Sequence, residues 1–266
     1  MVIDDIISLK RKELETLKSR VPFEQMERLG RKTGKSRRSL KKALSGDRSP
    51  HLICELKKAS PAEGLRRKNF RPLALAKDFE AAGASAISVL TERHYFMGDP
   101  ETLKRIRPIT SVPLIRKDFI FDPYQVYETA TLKADAFLVI AFLLKDRELT
   151  EILRLAKELD LETLVEVHAE RELERALGAG AAIVGINTRN LKTLQIEPAV
   201  AEPLFRRVPK GIVTVIESGI QSAQDIARFQ SFGAQSFLIG TALMKSTNVK
   251  RKILELSGWS NGARHG

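Results

Sequence analysis

Seven polar side chains stand at the ends of short apolar runs: Glu55 and Lys57, Lys117, Glu166, Asn187 with Arg189 just beyond it, and Glu217. Six of the seven are charged. Brought into one place, three glutamates and two lysines can both give and take protons, and crowded opposite charges shift a lysine or a carboxyl from its ordinary titration range. That set suits general acid–base catalysis, since it can supply an acid and a base at one place. A plainer reading competes, in which a lysine or glutamate only marks where a buried strand reaches water. Repetition at five separate run ends favours a shared mouth. A second signal is Ser218-Gly219-Ile220 after one run and Gly240-Thr241 after the next. Glycine lets backbone N–H groups close on an anion, and a helix N-terminus favours negative charge by about 0.3–1 kcal/mol when exposed. Two such corners in succession point to phosphate.

The elements that must position these residues follow from a repeating pattern. From residue 50 onward a short apolar, often β-branched run is followed by a polar turn and an amphipathic stretch. The predicted strands are Leu52–Leu56, Ala86–Leu90, Pro113–Ile115, Ala136–Ile140, Thr163–Val167, Ala182–Ile186, Ile212–Ile216 and Ser236–Ile239. The predicted helices between them include Leu73–Ala82, Tyr124–Lys133, Arg147–Leu159, Glu170–Leu177 and Ala223–Phe232, several closing on Gly-Ala at residues 83, 180 and 233. Eight alternations suit a parallel (β/α)8 TIM barrel, of usual length about 250 residues, in which polar residues at strand C-termini share one mouth. A doubly wound sheet would carry a glycine-rich fingerprint after its first strand, and the segment from Lys57 to Gly64 is not one. Strand alternation puts Glu55 and Lys57 on the face of Ile53, and Cys54 on the other. Ile3, Ile6, Ile7, Leu14 and Leu17 fall near helical spacing, so residues 3–19 form an amphipathic helix that packs on the barrel. The expected organisation is a single barrel domain over residues 1–266, with residues 1–48 as an N-terminal helical extension.

Composition narrows the classes. The chain has 266 residues, 43% hydrophobic and 29% charged, inside the ordinary globular range. The longest apolar run, Ala136 to Leu144, is nine residues, against roughly 20 for a membrane span. Acidic Asp4 and Asp5 argue against an export leader, and a lone Cys54 rules out an internal disulfide, which together suit a reducing cytoplasm. The four histidines, at 51, 94, 168 and 265, show no metal-binding spacing. The net charge is +12, and seven basic residues with no acid lie between Arg31 and Ala43. A nucleic-acid footprint would interleave aromatics there; a solvated basic connector is the preferred reading.

Six ordered motifs carry a resemblance. Glu55-Leu56-Lys57-Lys58-Ala59-Ser60-Pro61, Leu90-Thr91-Glu92 with Tyr95-Phe96, Arg116-Lys117-Asp118-Phe119-Ile120 with Asp122-Pro123-Tyr124-Gln125, Glu166-Val167, Gly185-Ile186-Asn187-Thr188-Arg189-Asn190-Leu191, and Glu217-Ser218-Gly219-Ile220 closely resemble indole-3-glycerol phosphate synthase. The resemblance spans nearly the whole chain. It implies conversion of 1-(2-carboxyphenylamino)-1-deoxyribulose 5-phosphate to indole-3-glycerol phosphate in tryptophan biosynthesis, with loss of carbon dioxide and water. No cofactor and no metal are implied.

Carried over by motif, Lys117 is the general acid at the ketone oxygen, and Glu166 and Lys57 serve later proton transfers. Glu55, Asn187 and Arg189 position the substrate and its carboxylate, and Glu217 joins the catalytic set. Ser60, Ser218, Gly219, Gly240 and Thr241 resemble the phosphate site, and Phe96, Phe119, Leu138 and Leu191 wall the aromatic ring. Two departures are Ala62-Glu63, where serine often follows Ser60-Pro61, and Gly240-Thr241, where Gly-Ser or Gly-Glu is usual. The implied partner is a small phosphorylated substrate, with no specific nucleic acid and no membrane, and the chain is expected as a monomer or weak homo-oligomer. The rivals are phosphoribosylanthranilate isomerase, whose acid–base pair is a strand-one cysteine and a strand-six aspartate, and an RNA-binding protein using Arg31–Lys42. The first needs Cys54 to face the mouth; the second leaves the strand-end charges unexplained.

Overall fold

The computed structural model describes residues 2–34, 37–46, 49–61, 64–65, 69–191 and 193–259. Eight parallel strands close into a barrel: β1 (His51–Leu56), β2 (Ala86–Leu90), β3 (Leu114–Lys117), β4 (Ala136–Ile140), β5 (Glu162–Val167), β6 (Ile183–Asn187), β7 (Val213–Glu217) and β8 (Ser236–Ile239). The ring closes where β8 pairs with β1, from Ser236 beside His51 to Ile239 beside Cys54. The strands lie within two residues of the predicted runs. The largest difference is at β3, which starts after Pro113 and runs on to Lys117, because proline has no N–H for the ladder. Lys117 is thus the last residue of a strand and inherits its direction. Lys133 and Asp160 turn the chain with positive φ where no glycine stands, as Gly83, Gly180 and Gly233 do elsewhere.

Alternation sorts the strand side chains into two cores. Ile53, Ala86, Ile115, Ala136, Leu138, Leu164, Ile183, Val215 and Leu238 fill the barrel interior. Leu52, Cys54, Leu56, Ile87, Val139, Val165, Val184 and Phe237 face the surrounding helices. Those helices are α4 (Pro72–Ala81), α5 (Glu101–Ile106), α6 (Pro123–Thr131), α7 (Asp146–Glu158), α8 (Glu170–Gly178), α9 (Ala201–Arg207), α10 (Ala223–Gln230), α11 (Thr241–Lys245) and α12 (Val249–Ser257), numbered after three N-terminal ones. Local capping starts several of them: Asp122 accepts from the Tyr124 N–H ahead of Pro123 at α6, and Ser222 and Asp225 form a reciprocal cap at α10.

The N-terminal helices seal both ends. Of α1 (Val2–Arg20), α2 (Phe23–Lys32) and α3 (Leu40–Ala43), the last plugs the closed end, its Leu40 and the following Leu44 joining the barrel's interior core. The basic run is therefore not the solvated connector its composition suggests. Arg31 and Lys32 end α2, Lys41 and Lys42 lie in α3, and half-buried Arg37 and Arg38 clasp the strand starts. Arg37 donates to the carbonyls of Ala134 at 2.6 Å and Leu159 at 3.1 Å, and Arg38 to that of Val112 at 3.0 Å. Backbone carbonyls also accept from guanidinium, and composition cannot tell them from a phosphate partner. Lys35 of that run and the Ala62-Glu63 departure lie outside the described residues. Among the described residues no helix is long and apolar enough to cross a membrane.

At the open end α1 buries Ile3, Ile6, Lys10 and Leu14 along one stripe. Lys10 reaches Asp118 at 3.0 Å and Glu13 at 3.0 Å; Asp118 pairs with Arg116 at 3.1 Å, and Arg116 with Glu128 at 2.7 Å. Burial opposes the charge on Lys10, and Asp118 and Glu13 together more than restore it, leaving Lys10 above the usual lysine range. Removing one member of a buried pair costs about 3–5 kcal/mol, and Asp118 keeps Arg116, so Lys10→Met is expected near the low end, about 3 kcal/mol. Denaturant unfolding checks this; a loss under about 1 kcal/mol, the worth of an exposed pair, would mean that α1 docks by its apolar stripe alone.

Candidate active site

The strand ends bring Glu55, Lys117, Glu166, Asn187 and Glu217 to the rim of one cavity, with Lys57 and Arg189 on the loops just beyond. The ammonium of Lys117 bonds Glu217 Oε2 and lies 3.4 Å from Glu166 Oε2. Lys57 lies 3.3 Å from Glu55 Oε2 and donates to Thr241 Oγ1 at 3.1 Å. Burial works against charge on Lys117, yet Glu217, Glu166 and Glu55 outweigh it, and its pKa is raised. Burial also disfavours the Glu166 carboxylate, but Lys117 and His168 overcome that, so Glu166 stays ionised well below the usual carboxylate range. Glu217 goes the other way. Burial and the nearby charge of Glu166 exceed the pull of Lys117 and push it up to about 7. Its Oε1 is buried with no hydrogen-bond partner among the described residues. It lies against Gly185 of β6, where a Cβ would overlap that oxygen. One site therefore holds a protonated amine, a carboxylate and a carboxyl poised near neutrality.

The walls are built by the loops. After β2, the buried Glu92 carboxylate accepts the N–H groups of His94, Tyr95 and Phe96 at 2.8–2.9 Å, folding the loop so that Phe96 meets Phe119 with ring centroids 6.2 Å apart. Gln125 donates to the Phe119 carbonyl at 2.8 Å and so fixes the loop after β3. Leu138, Leu191 and the Val2, Ile3 and Ile6 side chains of α1 complete an apolar side. Ser60, Ser218, Gly219, Gly240 and Thr241 line the same cavity. Ser218 and Gly219 both take positive φ, +69° and +73°, a pair of left-handed residues in the turn that leads to α10. Arg189 donates to the Leu194 carbonyl at 2.7 Å, and its N–H donates to Asn187 Oδ1 at 3.0 Å.

All sixteen residues singled out from sequence thus line one cavity. Cys54 does not. It lies in the layer between strands and helices, where burial pushes its thiol up, and β6 ends in Asn187, so the isomerase's cysteine–aspartate pair is missing from the mouth. Three contributors have no role assigned from sequence: Glu92 and Gly185, which stand in the quoted motifs, and His168. His168 stands two residues after Glu166 and four before Glu172, a spacing that places it between them, but histidine was weighed there only as a metal ligand. Among the described residues no group of three or more His, Cys, Asp or Glu side chains could hold a metal.

Comparison with known proteins agrees with this geometry. Residues 3–256 match the family model of indole-3-glycerol phosphate synthase. The chain belongs to that family. The indole-3-glycerol phosphate synthase of Ruminiclostridium cellulolyticum is 42% identical over 97% of this chain and 99% of its own length, and that of Aliarcobacter butzleri 38% identical over 98% and 100%. Among solved structures, 3-hexulose-6-phosphate synthase from Salmonella typhimurium superposes with a TM-score of 0.64 at 15% identity, covering 78% of this chain and 97% of its own, a likeness of fold alone. Membership in the indole-3-glycerol phosphate synthase family makes the chain an enzyme, a carboxy-lyase of tryptophan biosynthesis.

The charge balance at the mouth is directly measurable. Glu217 carries its proton below about pH 7 and loses it above, so a carboxyl C=O infrared band should fade with a midpoint near 7 and be absent from Glu217→Gln. Lys117→Met removes the attraction that favours the carboxylate, and the midpoint should rise.

Proposed function

We propose that the cavity closes the indole ring of 1-(2-carboxyphenylamino)-1-deoxyribulose 5-phosphate, with Lys117 as general acid. The phosphate is held by Ser60, Ser218, Gly219, Gly240 and Thr241, where the paired left-handed residues present backbone N–H groups to an anion. Phe96, Phe119, Leu138 and Leu191 enclose the aromatic ring, and Glu55, Asn187 and Arg189 orient the substrate and its carboxylate. The ring carbon that bears the carboxylate attacks the ketone carbon while Lys117 gives its proton to the ketone oxygen. Carbon dioxide then leaves, and its bonding electrons return to the ring. Loss of the new hydroxyl as water needs one group to protonate it and one to take a proton from the nascent indole, tasks for Lys57 and Glu166. Glu217 holds the Lys117 ammonium and, titrating near neutrality, can replace the proton that Lys117 gives up.

One observation carries this reading: the Lys117 ammonium is held between Glu217 and Glu166 in a cavity also lined by apolar side chains and by the Ser-Gly and Gly-Thr corners. Every step is acid–base chemistry that side chains supply, so the reaction calls for no cofactor and no metal. The same reading has the enzyme acting in the cytoplasm on a small phosphorylated substrate, as a monomer or weak homo-oligomer, with no specific nucleic-acid or membrane partner.

The test is the conversion itself, followed by indole fluorescence and release of carbon dioxide. Lys117→Met should cut turnover at least about 10²-fold with the substrate dissociation constant little changed, because the interaction strengthens in the transition state. Lys117→Arg should not restore turnover, since guanidinium keeps its proton. If Lys117 instead clamped the carboxylate, Lys117→Met would lose affinity and Lys117→Arg would recover it.

A further inference from the structure

Behind the catalytic carboxylate sits a histidine with no part in the chemistry above. His168 follows β5, its ring mostly buried. Its Nε2 lies 3.3 Å from Glu166 Oε1, and its Nδ1 lies 3.2 Å from Glu172 Oε2 on α8. The same Glu172 oxygen accepts the His168 backbone N–H at 2.8 Å, which fixes the start of the ring's own segment. Glu166 is thereby held from two sides, with Oε1 toward the imidazole and Oε2 toward Lys117.

We propose that His168 is a positioning residue for the family reaction: as an imidazolium clamped between Glu172 and Glu166, it fixes the Glu166 carboxylate in the mouth and keeps it ionised. This rests on the reading of Glu166 as a proton-transfer group. Nε2 meets Glu166 at ion-pair distance without hydrogen-bond geometry, so this contact is coulombic and holds the carboxylate only while the ring is charged, with protons on both nitrogens. Burial opposes that charge, but Glu166 and Glu172 outweigh it, and His168 is pushed up to about 10. Among the described residues, the other charged groups lining the cavity beside His168 are Arg189 and Glu197, on the loop after β6. Both are engaged within that loop, Arg189 with the Leu194 carbonyl and Glu197 with the Asn190 amide at 3.1 Å, so the Glu172–His168–Glu166 triad is electrically the closest unit. The arrangement also explains why Glu166 and Glu217, both bound to one ammonium, differ in charge. Only Glu166 has a second cation at its back.

The sign of the effect follows. Without the imidazolium, Glu166 loses a stabilising charge, its protonation begins at higher pH, and a base that must be ionised fails sooner as pH falls. An opposite charge this close is worth about 1–3 pH units to a carboxyl. In His168→Gln the acid limb of the kcat profile should therefore move up by about one pH unit or more, with turnover on that limb down about tenfold or more and KM nearly unchanged.

The experiment measures kcat and KM against pH for wild type, His168→Gln, Glu172→Gln and Glu166→Gln, together with ring 15N shifts of His168. In wild type the ring should stay doubly protonated through neutral pH, and in Glu172→Gln it should titrate nearer the ordinary histidine range. Glu172→Gln should then lose turnover as its ring deprotonates. An ordinary titration of His168 in wild type, or an unmoved acid limb in a folded His168→Gln, overturns the proposal. Glu166→Gln separates the two levels. If it retains turnover, the reading of Glu166 itself fails. If it abolishes turnover while the acid limb of His168→Gln stays in place, only the role of His168 falls. Should His168→Gln not fold, the wild-type and Glu172→Gln titrations still decide.

Discussion

A single buried ammonium makes the open end of this barrel possible. Glu55, Glu166 and Glu217 are all nearly inaccessible to water and all act on the same few ångströms of space. Carboxylates so placed repel one another, and unit charges about 4 Å apart interact by about 4 kcal/mol even at an effective dielectric of 20. Lys117 relieves that repulsion for Glu166 and partly for Glu217, and the proton retained by Glu217 relieves the remainder. The site thus stores one more proton than its ordinary pKa values would allow. This suits a reaction whose first demand is an acid and whose last demand includes a base.

The supporting structure divides its labour between the two ends of the barrel. At the closed end Leu40 and Leu44 complete the interior core, and Arg37 and Arg38 satisfy carbonyls where the strands begin. Nothing there needs to change during a reaction. At the open end polar contacts hold the loops: Glu92 folds one, Gln125 another, and Lys10 ties α1 to the residue next to Lys117. The buried chain from Lys10 through Asp118 and Arg116 to Glu128 adjoins the Lys117 cluster, and Asp118, just past the end of β3, also lines the cavity.

The distant resemblance to 3-hexulose-6-phosphate synthase is one of barrel alone. At 15% identity the barrel persists, because burying alternate faces of eight strands asks only for apolar residues of suitable size. Function is carried by the site built on such a barrel rather than by the barrel itself.

What the sequence by itself determined is whatever depends on neighbours along the chain. The eight runs, the face taken by Glu55 as against Cys54, the amphipathic first helix and the glycine corners all follow from periods of 2 and 3.6 and from local backbone freedom. Six spaced motifs were enough to place the family, and the seven polar residues from Glu55 to Glu217 were legible as strand ends, while the ring-pocket residues follow only from the resemblance. What only the tertiary structure decided is which of those ends meet. Lys117 and Glu217 lie 100 residues apart, and Glu92 works through three N–H groups that only a folded loop aligns. The basic run looked free because charge density says nothing about carbonyls 74 to 122 residues away that accept from it. His168 was passed over for the same reason. Its meaning lies in two carboxylates arriving at opposite ring nitrogens, and the charge state of a buried group is set by the distances around it, which no local pattern in the chain encodes.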